Sequence, residues 1–208
     1  MAEDFEAVLT VDPPSGPAPG DTSLVERCQG PTLDVGSGPG RLTVALAERG
    51  IPALGIDMTP DSVLQARSAG ALTLLRDVFG RVPGAGRWRT VLLADGAIGI
   101  GGDPAALLRR ISDLLSPQGR ALVEVQPPGE PLRREERGRL PWASVGADEI
   151  GDVADRAGLV LRELWTASGR WFATLDGVAH DRAGLDHAEL DGAGLDGCPD
   201  LRPAEPAP

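Results

Sequence analysis

An α/β fold, with helices layered on a mostly parallel sheet, is predicted by three features of this chain. Between residues 31 and 175 short apolar runs alternate with amphipathic stretches, so strand and helix periods succeed one another. Four of the apolar runs end at or beside an acid, at Asp34, Asp57, Asp77 and Asp95. The first leads into Gly36-Ser37-Gly38-Pro39-Gly40, a glycine-rich turn from strand to helix. Without Cβ atoms such a turn lets backbone lie very close to a ligand.

The elements follow in order. Pro31–Val35 reads as the first strand, and Arg41–Arg49 as a helix stopped by Gly50. Ala53–Ile56 is a second strand ending in Asp57, before a helix over Pro60–Ala69. Leu72–Leu75 is a third strand, leading to Asp77, and Thr90–Ala94 a fourth, closed by Asp95-Gly96. Asp103 is an N-cap with Pro104 at the first helical position, and that helix runs to Leu115, before Pro117-Gln118-Gly119. Ala121–Val125 is a fifth strand. A Pro- and Arg-rich connection leads to Trp142, and a helix covers Asp148–Ala157. Two last strands, Leu159–Trp165 and Arg170–Leu175, join through Ala167-Ser168-Gly169 as a hairpin.

Length and charge narrow the function classes. The 208 residues suit one domain with a substantial core and are short for two. The net charge of −11 is uneven: residues 1–30 hold six acids and one arginine, and residues 176–208 eight acids and two arginines. Residues 31–175 hold 17 of each sign, so the body is neutral and lacks the basic surplus of a nucleic-acid binder. No run of apolar residues is long enough for a membrane span. The first residues lack the pattern of a signal peptide. Cys28 and Cys198 match no metal spacing. A reduced, cytoplasmic protein without a metal is the simplest expectation. Residues 1–30 read as an N-terminal segment with a Pro/Gly-rich linker, 31–177 as the domain, and 178–208 as an acidic, disordered tail. His180 and His187 fall in that tail, which leaves neither as a general base.

The glycine turn decides the ligand class. A dinucleotide turn needs G-x-G-x-x-G, which places glycine where Arg41 stands. The observed Asp34-Val35-Gly36-Ser37-Gly38-Pro39-Gly40 resembles motif I of the class I S-adenosylmethionine (SAM) dependent methyltransferases. That resemblance covers residues 31–175. It implies a Rossmann-like seven-stranded sheet, mostly parallel with the last strand antiparallel, and helices on both faces. It also implies SAM as cofactor. Asp34 then helps hold the amino end of the methionine moiety, and the amides of Gly36, Ser37, Gly38 and Gly40 lie against the cofactor. Asp57 accepts from the ribose hydroxyls, its bland alternative being a helix cap. Asp77 and Val78 approach the adenine, and Met58 lines the other ring face.

Ala94-Asp95-Gly96-Ala97-Ile98-Gly99-Ile100-Gly101-Gly102-Asp103-Pro104 resembles an element of a group of small actinobacterial methyltransferases of undefined substrate. In that group Asn often stands where this chain has Ala97, and Cys where it has Ser37. The glycines of the element either admit a substrate by flexing or let the chain turn without strain. Asp95, at the end of the fourth strand, faces the reacting end of the cofactor and is the candidate base. The run Arg133-Arg134-Glu135-Glu136-Arg137-Gly138-Arg139 lies where many relatives build the substrate wall. Its alternating signs read as a solvated face, with an anionic substrate as the alternative. There is no Asn-Pro-Pro-Tyr after the fourth strand and no Pro-Cys nucleophile. The acceptor expected is therefore a small molecule, methylated at oxygen or nitrogen, rather than a nucleic acid. The rival is a non-catalytic SAM-binding partner or regulator with the same fold.

Overall fold

A computed structural model describes residues 18–137 and 140–177, with the side chains of 135–139 excepted. Strand β1 (Thr32–Val35) is buried at every position, as a strand covered on both faces must be. It pairs in parallel with β2 (Ala53–Asp57) on one side and β4 (Trp88–Leu93) on the other, Leu33 lying opposite both Leu54 and Val91. Strand β3 (Thr73–Leu75) extends the sheet beyond β2, and β5 (Leu115–Val125) extends it beyond β4. Strand β9 (Arg170–Gly177) runs antiparallel between β5 and β8 (Leu159–Ala167), giving the order β3-β2-β1-β4-β5-β9-β8. The expected seven-stranded sheet with its last strand antiparallel is present.

Two-residue periodicity divides the core between the faces. Val91, Leu93, Val123 and Leu175 pack with helices α4 (Pro104–Leu114) and α5 (Ile150–Asp155). Leu92, Leu122 and Phe172 face the other way, onto α1 (Asp21–Arg27) and α2 (Arg41–Glu48). Helix α3 (Pro60–Ser68) buries Val63 and Ala66, and starts at Pro60 as expected. Asp103 caps α4 by accepting the Ala106 amide at 3.1 Å. Between β8 and β9, Ser168 (φ 51°) and Gly169 (φ 79°) both have the positive φ that a two-residue type I′ turn requires.

Three elements differ from the sequence reading. The segment and linker read over residues 1–30 include α1, which starts at Asp21 and packs on the sheet through Leu24 and Val25. Its seven residues are too few to show a helical period. Its place is decided by tertiary contacts: Trp165 Nε1 donates to Ser23 Oγ at 2.6 Å, and the Arg27 guanidinium lies 4.3 Å from the Trp165 ring centre. Strand β5 begins at Leu115, six residues earlier than expected, and runs through Pro117 and Gly119. The connection before Trp142 holds an antiparallel hairpin of β6 (Arg133–Arg137) and β7 (Leu140–Ser144). The N-terminal residues 1–17 and the tail from 178, with His180, His187 and Cys198, lie outside the described residues.

Candidate functional site

The carboxyl ends of β1, β2 and β4 converge on one cavity, the place where open α/β sheets hold ligands. After β1 the chain turns through Gly36 (φ 68°), Gly38 (φ 52°) and Gly40 (φ 86°) into α2. The third glycine is required twice over. Besides its positive φ, a Cβ there would lie 2.8 Å from Ala71 Cβ and 2.9 Å from Ala66 Cβ. Gly38 has open space where its Cβ would be, so this part of the turn presents bare backbone.

Asp57 ties the turn to β2. Its Oδ2 accepts the Gly38 amide at 2.9 Å and its Oδ1 the Thr59 amide at 2.7 Å. The helix cap position itself belongs to Thr59. Each Asp57 oxygen keeps acceptor capacity beyond the amide it holds, and the residue lines the cavity. Gly36, Met58, Val78 and Asp95 line it too, with Met58 half exposed. Val78 is set in place from across the fold by Arg110 of α4, which donates to the carbonyls of Val78 (2.9 Å) and Gly80 (2.7 Å). Asp77 lies in the adjoining groove with Arg76 and Arg81, its Oδ1 taking the Phe79 amide at 2.9 Å.

The side chains of Ser37 and Asp34 do not line the cavity. The Ser37 hydroxyl is buried against Gly55, and the Ser37 amide donates to the Ile56 carbonyl at 3.1 Å. Asp34 is 2% exposed beneath the turn, and its Oδ2 accepts the Thr43 hydroxyl at 2.8 Å. Burial pushes its carboxyl up to about 6 against the pull of that hydrogen bond, with Asp95 and Asp57 adding to the rise and Arg41 opposing it.

A stability profile follows from Asp34. An unfolded chain releases this proton near 3.8, the folded one near 6, so between those values the folded state binds the extra proton. Stability from this group is greatest below the lower value and falls as pH rises through the upper one. The loss amounts to about 2–3 kcal/mol at most. Asp34→Asn is expected to abolish that slope and to melt above wild type near neutral pH, as calorimetric scans across this range would show.

Sequence reasoning missed the charged group beside the cavity. Asp21, 1% exposed, receives Arg41 at 2.6 and 3.0 Å and Arg170 at 2.8 Å. Burial raises its pKa, but the hydrogen bonds from the two arginines bring it below the ordinary carboxylate value. Arg41 also holds Asp95 Oδ2 at 3.0 and 3.1 Å, while Arg170 holds Asp95 Oδ1 at 3.0 Å and Glu124 at 2.7 and 2.8 Å. Asp95 itself has φ 52° and donates its amide to Glu124 Oε2. Arg41 was visible as the residue that breaks the dinucleotide pattern, and Asp95 as a strand-end acid; the rest of the group, Asp21 of α1, Glu124 of β5 and Arg170 of β9, was not.

The glycines after β4 serve packing. A single 3₁₀ turn (Ala97–Gly99) follows Gly96, and the hairpin and the β3–β4 loop rest on the next residues. A Cβ at Gly99 would strike the Ala143 carbonyl and come within 2.5 Å of Trp142 Nε1. One at Gly101 would lie 2.8 Å from Phe79 Cε2, and one at Gly102 2.9 Å from Pro141 Cβ. Arg134 Nε adds a 3.1 Å hydrogen bond to the Gly102 carbonyl. Leu140 and Trp142 are thereby brought to the cavity opposite β2, joining Ala97 and Ile100.

No protein-family profile matches the chain, and no curated protein matches it. Solved structures do. A SAM-dependent methyltransferase from Bacteroides fragilis, in complex with S-adenosyl-L-homocysteine, is 22% identical with a TM-score of 0.64, over 76% of this chain and 77% of that one. The 1,6-didemethyltoxoflavin-N1-methyltransferase of Burkholderia thailandensis, with 1,6-didemethyltoxoflavin and S-adenosylhomocysteine bound, is 19% identical with a TM-score of 0.59, over 75% of each chain. The CcbJ methyltransferase of Streptomyces caelestis is 20% identical with a TM-score of 0.61, over 79% of this chain and 92% of its own. The fold of this chain is that of the class I SAM-dependent methyltransferases.

Proposed function

We propose that this chain is a SAM-dependent methyltransferase that modifies a small-molecule acceptor at oxygen or nitrogen. The carrying observation is Asp57: a carboxylate held by the Gly38 amide, lining the cavity, with acceptor capacity left on both oxygens. That arrangement suits two ribose hydroxyls beside a backbone cradle. Bound SAM supplies a methyl carbon already activated by its sulfonium. Beside the cavity the charged group sets three carboxylates (Asp21, Asp95, Glu124) against two guanidiniums, which fixes the position of Asp95. The chain's own contribution is positioning. Val78 and Met58 are the apolar neighbours for an adenine, and Asp77 sits at its edge. The backbone of Gly36, Ser37, Gly38 and Gly40 lies against the methionine end above Asp34. Asp95, with both oxygens on guanidiniums, holds Arg41 and Arg170 on the acceptor side. The Ala94–Pro104 element supports placement among the small actinobacterial methyltransferases, and the free buried thiol of Cys28 suits a cytoplasmic setting.

Calorimetry is expected to show binding of SAM and S-adenosylhomocysteine and none of NAD; the reverse sinks the reading. Asn tolerates the positive φ of Asp95, so Asp95→Asn removes charge without straining the backbone. Turnover with labelled SAM is expected to fall at least about tenfold while SAM affinity stays within about twofold, marking an interaction made in the transition state. The guanidinium bonds that occupy Asp95 favour one other reading, a SAM-binding partner without catalysis. Tight SAM binding with no label transferred to any metabolite pool would make that the better account.

A further inference from the structure

We propose that the groove between α4, α5 and the β6–β7 hairpin is a docking surface for this chain's own acidic segment, residues 181–196, which lie outside the described part of the structure. The groove is separate from the cofactor cavity, with no lining residue in common. Its floor is apolar: Ala105 of α4 and Val153 of α5 are buried, with Leu132 partly buried beside them. Its rim carries three arginines from three elements, Arg109 of α4, Arg134 of β6 and Arg156, the C-cap of α5. Arg109 and Arg134 are each fixed at Nε, which donates to the Ala105 carbonyl at 3.3 Å and the Gly102 carbonyl at 3.1 Å respectively. That leaves their terminal nitrogens open. Among the described residues none of the three arginines has a carboxylate partner. Two acids line the groove as well. Asp103 is occupied as the cap of α4, and Glu149 Oε2 is buried with no hydrogen-bond partner among the described groups. The surface therefore calls for carboxylates and an N–H donor together. A simple carboxylate ion supplies only acceptors, whereas an acidic peptide supplies both.

The sequence places such a peptide within reach. A Leu-Asp pair recurs every five residues, at Leu185-Asp186, Leu190-Asp191 and Leu195-Asp196. Asp181 and Glu189 add two more acids to this stretch, against one arginine, Arg182. Strand β9 ends at Gly177, opposite Leu159 of β8, and Leu159 is three residues past Arg156. The chain thus leaves the sheet beside the Arg156 end of the groove. From Gly177 to Leu185 an extended chain spans up to about 26 Å, while α5 from Glu149 to Arg156 covers only about 10 Å. Leucines then meet the apolar floor and aspartates the guanidiniums. Each such exposed ion pair is weak by itself. Tethering raises the effective concentration of the segment to about millimolar, so weak contacts suffice.

The test uses the full chain with a nitroxide on Cys198, two residues past the last Leu-Asp pair. Cys28 does not compete for the label, because burial pushes its thiol up to about 12. Against the chemically reduced label, the amide signals of Arg109 and Val153 are expected to broaden in NMR spectra. That of Gln65, in α3 at the β3 edge of the sheet, is expected to stay sharp. The combined changes Asp186→Asn, Asp191→Asn and Asp196→Asn should abolish the broadening, and so should Arg109→Gln with Arg156→Gln. Raising salt to about 1 M, where the screening length falls to about 3 Å, should do the same. The inference is overturned if Arg109 and Val153 stay as sharp as Gln65, or if their broadening survives the aspartate or the arginine changes. It is also overturned if equal broadening appears when nitroxide-labelled chain is mixed with isotope-labelled chain free of nitroxide, since the occupant is then the segment of a second copy. The readout involves no cofactor, so the methyltransferase reading stands or falls separately.

Discussion

Asp21→Ala is expected to destabilise the folded protein by about 3 kcal/mol, the low end of the cost of breaking a buried ion pair, because both arginines keep other carboxylates. For a chain of this size that lowers the melting temperature by about 10 °C. The argument rests on geometry and burial together. Asp21 is 1% exposed and accepts three guanidinium hydrogen bonds, from Arg41 and Arg170, besides the Ala18 amide at 2.7 Å. Its removal takes from two mostly buried arginines the carboxylate they share, leaving Arg41 with Asp95 and Arg170 with Asp95 and Glu124, and it frees the start of α1 from α2 and β9. Glu26→Ala is the control. Glu26 and Arg49 lie 3.9 Å apart with both side chains about half exposed, and such a pair is screened by solvent. Thermal scans should therefore show a large drop for Asp21→Ala and no measurable change for Glu26→Ala. Equal effects would mean that α1 is not anchored by its first residue.

Asp57→Ala is expected to weaken SAM by about 1–3 kcal/mol, or about 5- to 150-fold, typical of losing hydrogen bonds to a charged group. The carboxylate does two jobs. It faces the cavity, and it holds the Gly38 and Thr59 amides that shape the turns on either side. Asp57→Asn separates them, since the amide oxygen can still accept one backbone N–H. Calorimetry on both variants, with melting temperatures beside it, reads the outcome. An unchanged SAM affinity in Asp57→Ala would reduce Asp57 to a turn acid and remove the main support for the proposed function.

Local periodicity and turn chemistry carried most of the sheet. Four buried parallel strands, the Asp103 cap with Pro104, and the Ser168-Gly169 turn are each written in a few adjacent residues, because the physics that forms them acts over one turn or one pleat. The glycine turn and the acids after it were legible for the same reason: backbone that must approach a ligand needs missing Cβ atoms, and these show in the sequence. Arg-Arg-Glu-Glu-Arg carries no apolar period, so nothing local marks β6 as a strand. Only docking on Gly99–Gly102 makes the hairpin, and only the hairpin brings Leu140 and Trp142 to the cavity. Helix α1 is likewise too short to declare itself, and is held by ion pairs to residues 20 and 149 positions away. What the sequence determined by itself was the sheet and the glycine turn with the acids that end its strands. What tertiary structure decided was the hairpin wall of the cavity and the charges beside it, because those contacts join residues that share no local pattern.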